Sequence, residues 1–185
     1  MILEFSNRQT QFFIMSGAAV GSLLLTKFLS KHPKLDYYQG HIGYFNGDGY
    51  NVFMQNFGVE QEFAPWHSIK VEGNINQFIG EDYTTGSIGF RMYSRWSAFG
   101  TKKLSPYFEY SMGILGAIQA FPEGGSRFNF HQTLALGLQY KLANDNKIRL
   151  DYNTMHLSNN GLFDSNPGFD ANGVTLSYSW FWPEK

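Results

Sequence analysis

Near the C-terminal end a histidine and a serine stand two residues apart, His156 and Ser158, in the run MHLSNN of residues 155–160. On a β-strand such a pair shares one face, with Cα atoms about 6.6 Å apart, so an imidazole nitrogen can reach the neighbouring hydroxyl. A serine hydroxyl is a weak nucleophile at neutral pH. It needs an adjacent base, and the base needs a third group to fix its tautomer and take up positive charge. Asp170 is a candidate for that third group. It follows the tight turn Asn166-Pro167-Gly168, and its even number matches Val174, Leu176, Tyr178 and Trp180 along the next segment. His156, Ser158 and Asp170 would then meet on the apolar face of an antiparallel pair, where polar groups are costly unless they work or pair with each other. A plain reading stands beside this one: H-x-S recurs by chance on strands, and Ser-Asn before Gly is ordinary loop composition.

The elements that must position these residues are strands. From Asp36 onward the chain alternates polar and apolar residues in Asp36–Asn46, Tyr50–Phe63, His67–Ile79, Thr85–Phe99, Ser105–Ala120, Phe128–Leu142, Lys147–Asn159 and Asp170–Trp182. Between them lie turn compositions such as Gly47-Asp48-Gly49, Gly80-Glu81-Asp82 and Asn144-Asp145-Asn146, in which Gly supplies positive φ and Asn or Asp tolerates it. Each strand has one apolar and one polar face: Leu134, Leu136 and Leu138 oppose Ala135, Gly137 and Gln139, and Ile148, Leu150 and Tyr152 oppose Arg149, Asp151 and Asn153. The expected fold is all-β, an eight-stranded antiparallel barrel, since an even count closes without a free edge.

Alternation alone does not say which face is inside. A soluble binder of apolar ligands, of the lipocalin kind, turns its apolar face inward, and a membrane barrel inverts this with the same pattern. The polar faces here carry Gly, Ser, Asn and Gln with opposite charges close together, Lys70 with Glu72 and Arg149 with Asp151. Glu109 and Arg91 join the same faces. Aromatics crowd the strand ends at Tyr37, Tyr38, Trp66, Trp96, Tyr107, Trp180 and Trp182, as interfacial girdles do. Both features favour a transmembrane barrel with a packed polar lumen. Composition agrees: Phe 18, Tyr 11 and Trp 4 in 185 residues, only 16% charged, yet a mean hydropathy of −0.30.

A net charge of −1 argues against a nucleic-acid partner, and the absence of Cys excludes disulfides and thiolate chemistry. Five scattered His without ligand spacing give no metal site, and no cofactor-binding loop is read. His67 and His131 read as interfacial or loop residues. Residues 12–25, FFIMSGAAVGSLLL, are too short to span a bilayer as a helix, which takes about 20. Residues 1–34 are therefore expected to be an export signal or an extra segment, and 35–185 a single barrel domain.

The block His156-x-Ser158-Asn159-x-Gly161-Leu162, followed by Asn166-Pro167-Gly168 and an acidic residue twelve positions after the serine, resembles the outer-membrane lipid A 3-O-deacylases, the PagL-type eight-stranded barrels. Pro122 to Phe130 before the sixth strand and the Arg95-Trp96 end of the fourth support the likeness, which covers roughly residues 36–182. The resemblance implies an outer-membrane esterase that removes the acyl chain at position 3 of lipid A, the membrane anchor of lipopolysaccharide, without metal or cofactor. It implies Ser158 as nucleophile, His156 as general base, Asp170 as the acid that orients His156, and Asn159 as a contributor to the oxyanion hole. Asp170 is one methylene shorter than the glutamate expected there. A structural barrel without activity is the alternative, and the oligomeric state, monomer or homodimer, is left open.

Overall fold

The computed structural model describes residues 37–99, 102–163 and 165–181. Residues 1–34, read as an export segment, lie outside that range, as does Trp182. Eight strands follow in order: β1 Tyr37–Gly47, β2 Tyr50–Ala64, β3 His67–Ile79, β4 Thr84–Ser97, β5 Leu104–Phe121, β6 Ser126–Lys141, β7 Lys147–Ser158 and β8 Phe169–Phe181. Each pairs antiparallel with its neighbours, and β8 returns to β1 to close the barrel. Each strand end lies within two residues of the expected one wherever that end is described.

The alternation becomes an inside and an outside. Ile42, Ile75, Ile88, Leu136, Leu150 and Leu176 point outward and are exposed. Their opposite-parity neighbours fill the bore, including Arg91, Glu72, Glu60 and Arg149, each at 2% exposure or less. An apolar exterior around a charged interior suits a hydrocarbon solvent, which can satisfy no polar group. It sets aside the soluble binder, whose bore would hold an apolar ligand.

The bore has two layers. Over most of its length it is an ion network. Glu60 takes Arg95 at 2.7 Å, Arg149 at 2.9 Å and the Ser68 hydroxyl at 2.7 Å. Glu72 takes Arg91 at 3.0 Å and Lys70 at 3.2 Å, and Glu109 meets Arg95. The expected Lys70–Glu72 pair forms, but Arg149 passes over Asp151 and crosses the bore to Glu60. Asp151 instead accepts the Thr175 hydroxyl at 2.6 Å. A long guanidinium spans the cylinder, whereas the short carboxylate next to it stays at its own wall.

Toward the end that carries residues 159–168, the polar filling gives way to an apolar cluster of Phe45, Phe78, Leu115, Phe121, Leu157 and Phe169, all buried. The rings of Phe78 and Phe121 lie 3.9 Å apart between centroids, and Phe121 and Phe169 5.0 Å apart.

The opposite end carries the aromatic girdle. Trp66 and Trp96 sandwich His67, and Tyr38 stacks on Trp180. Tyr37 and Tyr107, expected in that girdle, face the bore instead: their odd numbers put them on the polar side, where Lys147 lies 3.9 Å from the ring centre of Tyr37 and Arg95 4.9 Å from that of Tyr107. His131 is likewise a bore residue, 3.1 Å from Arg91, and not a loop or interfacial one.

Candidate active site

β7 carries His156 and Ser158 on its outward face, Ser158 as the strand's last residue and His156 two residues before it. In the β7–β8 register His156 stands directly across from Asp170, the second residue of β8. The side chains use that register. His156 Nδ1 and Asp170 Oδ1 are 2.6 Å apart, so the shorter aspartate does reach the imidazole. With Asp170 accepting the proton on Nδ1, the neutral ring presents Nε2 as an acceptor. The pair is open to the outside of the barrel, the His156 side chain 29% exposed and that of Asp170 63%.

The residues between them hold the wall. Leu157, between His156 and Ser158, and Phe169, just before Asp170, both point inward and are fully buried in the apolar cluster. The strand segments that carry the polar groups are thus pinned from inside by close-packed side chains, which deform little.

Ser158 is 9% exposed. Its Oγ accepts the Asn160 N–H at 2.9 Å, and the Asn166 side chain brackets it, with Oδ1 and Nδ2 each 3.2 Å away. No hydrogen bond joins the hydroxyl to the imidazole in this arrangement. Turning the serine about its Cα–Cβ bond is the adjustment a Ser–His contact requires, and such contacts commonly tighten only when substrate is bound.

The loop that forms this cage is built on left-handed backbone. Asn160 has φ 54° and Gly161 φ 76°, conformations that Asn and Gly accept most readily. Asn159 is the brace. Its N–H donates to Asn166 Oδ1 at 2.9 Å, its Nδ2 to the Ser165 carbonyl at 2.6 Å and to Ser126 Oγ at 3.3 Å, and its Oδ1 accepts from Gly161 at 2.9 Å. Asn159 was expected to supply the oxyanion hole. In the structure both its donors are engaged, the N–H with Asn166 and Nδ2 with Ser165 and Ser126. The groups beside Ser158 Oγ are the Asn160 N–H and the Asn166 amide. The signal for Asn166 was its place before Pro167, which favours an extended backbone there.

A groove of about 390 Å³ opens on the outer wall at this point, lined by Tyr110, Phe130 and Leu134 from β5 and β6 together with His156, Ser158 and Asp170. Thr154 and Asn172 lie one step below the His156–Asp170 pair and are exposed. Below them the wall is apolar, with Tyr152, Leu150, Val174 and Leu176 all outward. The cluster therefore stands at the border between an apolar belt and a polar rim.

A family model described as "Lipid A 3-O-deacylase (PagL)" matches residues 35–179. Among solved structures, the crystal structure of the outer membrane enzyme PagL aligns with a TM-score of 0.60 at 16% identity, covering 75% of this chain and 97% of that one. The crystal structure of Neisserial surface protein A aligns with a TM-score of 0.63 at 8% identity, over 82% and 100%. At these identities the structural likeness is one of fold. No curated protein matches the chain.

Proposed function

The chain belongs to the lipid A 3-O-deacylase (PagL) family, a family of outer-membrane ester hydrolases, and on that premise we propose that Ser158, His156 and Asp170 form its catalytic triad on the lipid-facing wall. The observation that carries this reading is the Asp170–His156 hydrogen bond at 2.6 Å on the same outer face as Ser158. A carboxylate on Nδ1 makes Nε2 the base, and Nε2 is the nitrogen a serine two residues along can address.

In the reaction Ser158 Oγ bonds to the carbonyl carbon of the 3-O-acyl ester while its proton passes to His156 Nε2. Asp170 stabilises the imidazolium that results. The negative charge on the former carbonyl oxygen is met by the N–H of Asn160 and Nδ2 of Asn166, both already aimed at the position of Ser158 Oγ. The ester C–O bond breaks, His156 returns the proton to the departing 3-oxygen of lipid A, and an acyl-serine remains. Water, activated by the same imidazole, then releases the fatty acid. The substrate ester lies where headgroup meets hydrocarbon, and the cluster stands at the matching border of the barrel wall. The acyl chain has the groove along Phe130 and Leu134 to occupy.

A serine-reactive fluorophosphonate tests the reading. It is expected to add to Ser158 in the folded protein, located by peptide mass spectrometry, and to fail with His156→Ala; equal labelling of the two proteins would remove His156 as base. Asn166→Ala is expected to lower kcat on lipid A by about 10²- to 10³-fold, the range seen when one oxyanion donor is lost. A kcat unchanged by that substitution would leave the Asn160 N–H as the working donor.

A further inference from the structure

The turn between β1 and β2 reaches the His156–Asp170 pair from the side opposite His156. Backbone pairing of β1 with β8 stops at Asn46↔Asn172, whereas β7 continues beside β8 through His156↔Asp170 to Leu157↔Phe169. Asp170 thus sits on a stretch of β8 with a strand ladder on one side only. Its N–H is taken up by a side chain instead: it donates to Oδ2 of Asp48 at 2.6 Å, from a residue 122 positions away in the chain. Gly47 allows the approach, because a Cβ there would overlap the Asp170 carbonyl oxygen and Ala171.

The turn itself accounts for part of this. Asp48 and Gly49 have φ of 46° and 80°, the two-residue hairpin turn for which Asp-Gly is a favoured pair. Turn formation does not require the carboxylate to bond a third strand, and here it does. The Asp170 carboxylate, exposed as it is, has the imidazole as its one side-chain partner among the described residues. What fixes it is therefore its backbone, held by β7 on one flank and by Asp48 on the other.

We propose that Asp48 is a positioning residue for deacylation: its carboxylate ties down the Asp170 backbone so that the Asp170 side chain stays on His156 Nδ1. This rests on the triad reading given above. A hydrogen-bond acceptor, and not a charge, is what the role demands. Asparagine suits the turn and keeps an acceptor oxygen, whereas glycine suits the turn and removes it.

The experiment uses the full chain refolded in detergent, with lipid A as substrate and Ser158→Ala run alongside. Asp48→Gly is expected to lower kcat about 10-fold with KM within about twofold, and Asp48→Asn to keep kcat within about threefold, as fits a displacement of the catalytic group by a fraction of an ångström. The unfolding midpoint of both variants stays at that of the parent. An Asp48→Gly protein with parental kcat overturns the proposal, and so does an equal loss in the Gly and Asn variants. A lower midpoint with unchanged kcat of the folded fraction also overturns it, leaving Asp48 a turn residue alone. An active Ser158→Ala protein would instead bring down the triad beneath it, so the two failures are told apart.

Discussion

Ser158→Ala is expected to abolish release of the 3-O-acyl chain, with kcat falling by roughly 10⁴- to 10⁶-fold, the scale on which serine hydrolases lose activity with their nucleophile. Mass spectrometry of lipid A incubated with the purified barrel would then show the intact species alone, against the singly deacylated one with the parent protein. The fold should survive. The hydroxyl sits at the rim of the barrel, and its loss orphans the Asn160 N–H and one Asn166 group, about 1 kcal/mol each at most sites of this kind. On the triad reading the three residues act as a unit, so adding His156→Ala to Ser158→Ala is expected to cost little more. Retained deacylation would place the nucleophile elsewhere and leave the Asp170–His156 pair as a structural contact.

Glu60→Ala is the substitution expected to cost most in stability. Glu60 is fully buried and holds two guanidiniums, Arg95 at 2.7 Å and Arg149 at 2.9 Å, together with the Ser68 hydroxyl. Without it both cations remain in the bore with their shared counter-ion gone. Removing one partner of a buried ion pair costs about 3–5 kcal/mol, because the charge left behind is desolvated and unmet. The denaturant midpoint of the detergent-folded barrel should fall accordingly, while kcat of the folded fraction holds, since the network lies in the layer away from His156. Glu60→Leu combined with Arg149→Met is expected to recover much of the loss, as no lone charge is then buried beside the remaining Arg95–Glu109 pair.

Which face each residue takes was legible in the sequence, because a strand has only two faces and one-residue steps alternate between them. That sufficed to count the strands and to bring His156, Ser158 and Asp170 to one face; the closed barrel then follows. It did not suffice for contacts across the bore. The partner of Arg149 depends on how far each strand is staggered against the next, and stagger leaves no mark in a period of two. Tyr37 and Tyr107 looked like girdle residues by position, yet their parity, read more strictly, sends them inward. Residues 159–168 were the least legible. Their bonds run largely from side chain to backbone within one loop, so Asn159 and Asn166, alike as residue types, could not be told apart as the loop's brace and the neighbour of the Ser158 hydroxyl. Asp48 was invisible for a related reason: Asp-Gly announces a turn, and nothing local announces the strand its carboxylate would meet.

The aromatic cluster of Phe78, Phe121 and Phe169 lies inside the wall that carries the proposed triad, and rings packed this closely leave little room for solvent. Hydrolysis consumes a water molecule, and on the triad reading the groove on the outer wall is its route to Ser158. Supply must come from the medium above the leaflet, while the freed fatty acid departs sideways into the hydrocarbon. On the same reading, reactant and product travel at right angles to one another.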